Sequence, residues 1–523
     1  MVRYTWAFAA LGCVSPVVSA LTYESHPERL DAVAEAFQRA WNGYYTYAFP
    51  NDSLAPITKT SYNDRNGWGA SAVDAISTAL VMGNKKVVNE IVDHITTINF
   101  NMTSPDDTSV SLFETTIRYL AGMLSAYDFL SGPLSDLLDD PASLDTILKQ
   151  AVSLADTLSV AFTTSSGVPI NDLIYNGPEG PVPDRTETTN GIATIGTLVL
   201  EWTRLSDLTG DTKYAELTQT AEDYLLNVRN PGVGEPYPGL IGTDVNVTNG
   251  LFVDSSGGWN GGTDSFYEYL IKMYLYDTAR FAEYKDRWSL AVDSSIKYLA
   301  SHPSSRPDLT FLAAYEGAGP ANLSFFSEHL ACFDGGNIIL GGLTLNNQGY
   351  IDFGLELVAA CHDTYTATVT GIGPEIFQWQ DSKLAPNATN NAAPPANQSS
   401  FYETAGFWIT DPVYDLRPEV IESFYYAYRA TGDSKYQDWA WEAFLHINAT
   451  CSAGVGFSSV MDVNAPGGGG FYNQQESFWF AEVLKYSYLI QAEEAPWQVS
   501  AAHDNEWVFN TEAHPFRVAG TPV

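Results

Sequence analysis

The feature that most constrains this chain is a helical period that recurs from end to end, in paired segments joined by one kind of short turn. Apolar residues return at helical spacing over Leu30 to Tyr45, Ala72 to Val81, Lys86 to Ile98, Leu112 to Leu130 and Leu144 to Phe162. They do so again over Ile192 to Leu205, Lys213 to Val228, Ser265 to Ala282, Asp286 to Leu299, Leu330 to Leu343, Phe353 to Thr366, Val420 to Tyr428, Tyr436 to Ile447 and Glu476 to Ile490. Two junctions are nearly identical, LTGDTKY at 208–214 and ATGDSKY at 430–436. In each, Gly can end one helix in the left-handed conformation while Asp caps the next, which is the chemistry of a tight pair of antiparallel helices. The repeated unit is therefore a helix pair, and about fourteen helices in pairs can either stack as a solenoid or close into a ring. Irregular insertions favour the ring. Loops at 175–189, 230–262 and 463–475, rich in Gly, Pro and Asn, are expected to supply small β-hairpins or to cover one mouth.

Composition excludes some partners. With Lys+Arg 25 against Asp+Glu 62 the net charge is −37, which opposes binding to nucleic acid or anionic lipid. A hydrophobic fraction of 45% is enough for a large core, so disorder is not expected. No linker divides the pairs, and the reading is one catalytic domain over 21–523, preceded by a secretory leader over 1–20. In that leader Arg3 is the basic region, Trp6 to Val18 the apolar one, and Val18, Ser19 and Ala20 the cleavage site. Losing Cys13 with the leader leaves Cys332, Cys361 and Cys451, hence one disulfide and one thiol; proximity favours Cys332 with Cys361. Sequons at Asn51, Asn101, Asn246, Asn322, Asn387, Asn397 and Asn448 agree with a secreted chain. The polar stretch 383–400 reads as a glycosylated surface loop.

Carboxylates set among aromatic and apolar residues are the candidate chemistry. SLFETTIR (111–118) puts Glu114 and Arg118 on one helix face, for which a local ion pair is the plainer explanation. GGTDSFYEYL (261–270) places Asp264 where a Gly-rich loop enters a helix, a position that also suits an N-cap. In LRPEVIES (416–423) Pro418 can start a helix, Glu419 and Glu422 share a face, and Arg417 can hold one of them ionised. Glu375 in GIGPEI (371–376) and Glu482 in ESFWFAEVLKY (476–486) add acids beside aromatics, and Phe478 or Trp379 can stack on a sugar ring. His329 beside Cys332 completes no zinc pattern and reads as an ordered or sugar-contacting histidine. No HExxH, GxSxG, GxGxxG or P-loop is present in a fitting context.

Taken together and in order, NGWGASAVD (66–74), SLFETTIR, GGTDSFYEYL, HLACF (329–333), GIGPEI, LRPEVIES, ESFWFAEVLKY and VFNTEAHP (508–515) resemble the class I α-1,2-mannosidases, glycoside hydrolase family 47, over nearly the whole mature chain. The resemblance implies an all-α fold, an (α/α)7 barrel with loop and small β-hairpin insertions. It further implies calcium dependence and inverting removal of terminal α-1,2-linked mannose from high-mannose N-glycans. Motif by motif, Glu114 is implied as the general acid acting through a water, Glu419 as the base, and Asp264 as the third essential carboxylate, with Glu114 and Asp264 exchangeable as proton donor. Thr511 is implied as the direct Ca2+ ligand, through hydroxyl and carbonyl. Glu375, Glu422, Glu482 and Glu512 are implied to hold its waters or the sugar, and Arg118, His329, Arg417, Pro418 and Phe478 to form other subsite contacts. Cys332 and Cys361 match the family's disulfide. Gly262 stands where the endoplasmic-reticulum subgroup has Arg, implying a roomier branch site and broad trimming. A secreted monomer with glycoprotein glycans as substrate and no membrane span is expected. The alternatives are a non-catalytic mannose lectin on the same fold and another inverting barrel glycosidase, against which stand the intact acids and the segment Asn510 to Glu512.

Overall fold

The computed structural model describes residues 21–105, 109–175, 180–386 and 388–523. The leader expected at 1–20 and the sequon at Asn387 lie outside the described residues. Fourteen helices carry the architecture: α1 (Pro27–Tyr47), α2 (Ala70–Val81), α3 (Lys85–Ile95), α4 (Ala121–Leu130), α5 (Ser143–Leu158), α6 (Val199–Thr209), α7 (Lys213–Leu226), α8 (Asp264–Tyr276), α9 (Ala282–Ser294), α10 (Phe333–Thr344), α11 (Gln348–Thr366), α12 (Glu419–Thr431), α13 (Lys435–Cys451) and α14 (Leu484–Leu489).

Burial sorts them into two layers. Every residue of α10 is buried, and so is α2 from Ala70 through Leu80; a helix apolar on all faces belongs inside. By contrast α3 buries one stripe, Val87, Val88, Ile91, Val92 and Ile95, as an outer helix should. The inner helices α2, α4, α6, α8, α10, α12 and α14 touch in that order, and each of the first six packs on the outer helix that follows it. The ring closes because α14 packs on α1 and, with the π-helical turn Trp479–Val483 before it, on α2. The N-terminal helix is thus the outer partner of the last inner one. The segment leading into α1 is tied there by His26 N–H to the Gln491 carbonyl at 2.9 Å, just after α14, and by Tyr23 OH to the Arg429 carbonyl of α12 at 2.7 Å. Seven pairs in a closed ring make an (α/α)7 barrel, which decides between ring and solenoid.

The glycines of the two repeated junctions are left-handed as expected, Gly210 and Gly432 having φ of 73° and 66°. The cap positions are Thr212 and Ser434 rather than the aspartates; Asp211 and Asp433 stand one residue earlier and accept from the N–H groups of Lys213 and Lys435 at 3.1 and 3.0 Å. In α10 glycine serves close approach: a Cβ on Gly341 would lie 2.0 Å from the Trp288 ring of α9. Some boundaries differ from the periodicity. The 192–205 run breaks into Ile192–Gly196 and α6, the 330–343 run opens as a 3-10 turn before α10, and Pro418 precedes α12 rather than opening it. Three runs contain a π-helical turn, Thr116–Leu120, Ser295–Leu299 and Trp479–Val483, and the first and last carry site residues.

Insertions form small antiparallel sheets, such as Phe326–Glu328, Ile376–Gln378 and Trp408–Asp411. A satellite apolar cluster lies around this sheet, and Trp379 belongs to it, 1% exposed with its indole N–H on Ser301. Trp379 therefore stacks on no sugar. The 383–400 stretch is a surface segment stapled by Asn391, whose buried amide accepts from Asp381 N–H at 2.7 Å. Asn101, Asn322 and Asn397 are exposed, while Asn51, Asn246 and Asn448 are half-buried. Among the described residues no helix is long and apolar enough to cross a membrane.

Cys332 and Cys361 form a disulfide joining the start of α10 to α11, and Cys451 is a buried free thiol. The bridge closes a loop of sequence separation 29. Replacing both cysteines with Ala is expected to cost about 3–4 kcal/mol of unfolding free energy on the chain-entropy account, measured by guanidinium titration.

Candidate active site

A cavity of about 250 Å³ opens at the N-terminal ends of five inner helices. Glu114 and Arg118 lead into α4, Asp264 opens α8, Phe333 opens α10, Glu419 opens α12, and Phe478 and Glu482 lead into α14. Helix N-termini favour negative charge, which is why a barrel can gather so many carboxylates here.

Glu114 is fixed by two guanidinium groups. Arg118 donates from Nε to its Oε2 at 2.8 Å, and Arg65 Nε stands 3.5 Å from the same oxygen. Burial raises the Glu114 pKa, but Arg118 and Arg65 outweigh it and hold the carboxyl below its usual range. Arg118 also reaches Glu512 at 2.6 Å and Asp74 at 3.3 Å, and its guanidinium lies 5.7 Å from the Phe478 ring centre.

Asp264 has the opposite environment. It is the first residue of α8 with Thr263 at the cap position, so it is no N-cap. Its Oδ1 accepts from the Ser265 N–H at 2.8 Å, and no hydrogen bond reaches Oδ2 among the described residues. Burial, followed by the charges of Glu268, Glu328 and Glu419, pushes its pKa up to about 7.

Glu419 sits at the end of a hydrogen-bonded chain. Its Oε2 lies 2.9 Å from His329 Nδ1, and His329 Nε2 lies 2.7 Å from the Tyr365 hydroxyl. With Glu419 ionised, Nδ1 carries the proton and Nε2 accepts from the tyrosine. Burial raises the Glu419 pKa, but the His329 hydrogen bond and the Arg417 charge bring it below the usual value. Arg417 itself donates to Glu375 at 2.6 Å, so its direct carboxylate partner is Glu375 rather than Glu419 or Glu422. Leu416 just before it has φ of 57°, a strained position for a branched residue, where the chain turns into α12.

The C-terminal hairpin, Trp507–Phe509 paired with Pro515–Arg517, packs against α8 and α4. Its base is held by Ala519 N–H on the carbonyl of Tyr276, at the C-terminal end of α8, and its tip brings Thr511 and Glu512 to the cavity. Among the described residues no hydrogen bond reaches the Thr511 hydroxyl or carbonyl. Facing them are Glu422 and Glu512, each pushed up to about 8, and Glu482, also raised, by burial and then neighbouring charges that include further carboxylates. A calcium ion, implied by the sequence resemblance, fits this set: every donor is oxygen, Thr511 has two unpartnered, and a positive charge would relieve the crowding of acids. No three His, Cys, Asp or Glu side chains among the described residues converge into a metal cage of their own.

The family model for glycosyl hydrolase family 47 matches residues 36–518. The chain belongs to this family. It is 54% identical over 517 residues to the probable mannosyl-oligosaccharide α-1,2-mannosidase 1B of Aspergillus niger, covering 98% of this chain and 96% of that one. It is 55% identical to the mannosyl-oligosaccharide α-1,2-mannosidase of Penicillium citrinum, over 95% of this chain and 93% of the relative. Among solved structures the α-1,2-mannosidase from Trichoderma reesei superposes with a TM-score of 0.91 at 53% identity, covering 95% of this chain and 100% of that one.

Within this family-47 cavity, eleven of the residues singled out from sequence line the wall: Glu114, Arg118, Asp264, Arg417, Pro418, Glu419, Glu422, Phe478, Glu482, Thr511 and Glu512. Three do not. His329, 2% exposed, stands behind Glu419, which suits the ordered histidine of the two readings. Glu375 stands behind Arg417, which donates to it. Gly262 is exposed with φ of 89°, and a Cβ there would meet nothing nearer than Thr243 at 3.8 Å. Glu268, one turn after Asp264, was missed although the i, i+4 spacing of two acids was visible.

Proposed function

We propose that this chain is a calcium-dependent, inverting mannosyl-oligosaccharide α-1,2-mannosidase that removes terminal α-1,2-linked mannose from high-mannose N-glycans. The relatives' names support the activity. The observation that carries the mechanism is one cavity holding two carboxyl groups in opposed surroundings, burial and neighbouring acids raising the pKa of Asp264 while His329 and Arg417 lower that of Glu419. An inverting glycosidase needs that pair, set roughly 6.5–9.5 Å apart to admit a water.

Glu419, ionised and oriented through Oε2 by His329, takes a proton from the attacking water at Oε1. Asp264 delivers the proton on Oδ2 to the departing sugar oxygen. Asp264 rather than Glu114 is the donor, because the Glu114 charge is already neutralised by Arg118 and Arg65 and its carboxylate is left to orient a hydroxyl or water. Phe478, between the guanidinium groups of Arg118 and Arg417, offers the apolar face of a sugar a fixed floor. Thr511, with Glu422, Glu482 and Glu512 around the same cavity, would hold calcium, which when bound would supply a template for sugar hydroxyls and electrostatic stabilisation of ring distortion. The open rim at Gly262 supports trimming of several mannoses. A secreted, monomeric chain beginning at Leu21 completes the reading, and N-terminal sequencing with sedimentation of the exported protein checks it.

The test is a time course on a high-mannose N-glycan, with NMR detection of the first anomer released, with and without a chelator. β-Mannose formed only in the presence of calcium is expected. α-Mannose would overturn the inverting mechanism, and glycan binding without turnover would support a lectin.

A further inference from the structure

Lys272 and Lys485 are buried to 1% and 0% exposure, and the catalytic scheme uses neither. Both end on the same five-residue turn, Asn510 to His514. Lys272 Nζ pairs with Glu268 on its own helix and donates to the Asn510 carbonyl at 3.2 Å. Lys485 Nζ donates to the Ala513 carbonyl at 2.5 Å and has no carboxylate within ion-pair distance among the described residues. A buried ammonium group resting on one backbone oxygen is costly, and core packing alone does not call for it.

The rest of the turn is equally committed. Asn510 N–H donates to the His514 carbonyl at 3.0 Å, and Asn510 Oδ1 accepts from the N–H groups of Glu512 and His514 at 3.0 and 2.8 Å. Thr511 N–H donates to the Tyr269 hydroxyl at 3.2 Å. His514 is anchored in turn by Ser77 at 2.8 Å. Of the turn's five carbonyls, only those of Thr511 and Glu512 are without a hydrogen bond among the described residues. The lysines occupy two of the oxygens that would otherwise compete for a cation.

We propose that Lys272 and Lys485 are positioning residues that lock the 510–514 turn so that Thr511 presents its hydroxyl and carbonyl to calcium. They do so by holding the flanking carbonyls of Asn510 and Ala513 on α8 and α14, which makes cation affinity a property of the closed barrel as well as of the turn. This rests on the calcium reading above.

The experiment is calorimetric titration of the cation-stripped mature protein with calcium chloride, comparing wild type, Lys272→Met, Lys485→Met and Lys485→Gln. Removing such outer partners of a metal ligand characteristically costs about 10–100-fold in affinity. Both Met variants are expected to show that loss, and Lys485→Gln, which keeps a donor for the Ala513 carbonyl, to recover part of it. Ile91→Ala, a cavity in α3 away from the turn, should lower the unfolding midpoint and leave calcium affinity unchanged. Wild-type affinity in the Met variants overturns the inference, as does an equal loss in Ile91→Ala. Absence of binding by wild type instead overturns the calcium reading itself. Tyr269→Phe, which removes only the hydroxyl beneath Thr511 N–H, decides the matter if the lysine variants fail to fold: weaker binding supports the lock, and unchanged binding refutes it.

Discussion

Glu419→Gln is expected to lower kcat on a high-mannose glycan by about 10²–10⁴-fold, the usual worth of a positioned general base, with little change in binding of the unreacted glycan. The amide keeps the volume and a hydrogen bond to His329, whose ring can present the matching nitrogen state, but it takes no proton from water. His329→Ala should reproduce part of this loss for a different reason. With Nδ1 gone, Glu419 loses the hydrogen bond that stabilises it as an anion and its fixed orientation. Its pKa then rises, so the acid limb of kcat/KM should move to higher pH in His329→Ala while the limb of Glu419→Gln vanishes. Rapid-quench kinetics separate chemistry from release, and a Glu419→Gln enzyme with near wild-type single-turnover rate would remove Glu419 from the base role.

The parts of this molecule legible in sequence are those whose causes are local. The helix pairs follow from a 3.6-residue period and from Gly and Asp side by side at 210–211 and 432–433, since one residue permits the left-handed turn and the next accepts from the first N–H of the following helix. Closure of the ring is not local: it depends on α1 meeting α14, across almost the whole chain. The same division holds in the site. Acids in apolar motifs mark Glu114, Asp264 and Glu419, and family resemblance orders them, but protonation depends on which cations arrive from elsewhere. Arg65 comes from a loop 49 positions before Glu114, and His329 stands 90 positions from Glu419. Lys272 and Asn510 are 238 apart. No spacing rule links such residues, so a sequence pattern names the carboxylates without saying which one holds the proton.

That last question has a large expected effect. Asp264→Asn should depress turnover of the natural glycan by about 10²–10⁴-fold, because it removes the proton delivered to the leaving sugar. The loss should be far smaller on α-mannosyl fluoride, whose leaving group needs no full proton. The pH sign follows from the free-enzyme states. A donor works only when protonated, so with Asp264 raised to about 7, kcat/KM should be flat below that pH and fall tenfold per unit above it. A base works only when ionised, so the acid limb belongs to Glu419 and lies below the ordinary carboxylate range. In Asp264→Asn the alkaline limb should disappear. Glu114→Gln should keep that limb, since its carboxyl is already ionised beside Arg118 and Arg65 across the working range. It should lose activity on both substrates in similar proportion, through disorder of the Arg118 cluster. The opposite pattern, with fluoride rescuing Glu114→Gln and the alkaline limb surviving in Asp264→Asn, would return the donor role to Glu114. Proton delivery would then run through a water, and the raised Asp264 would be only a consequence of burial and of crowding by Glu268, Glu328 and Glu419.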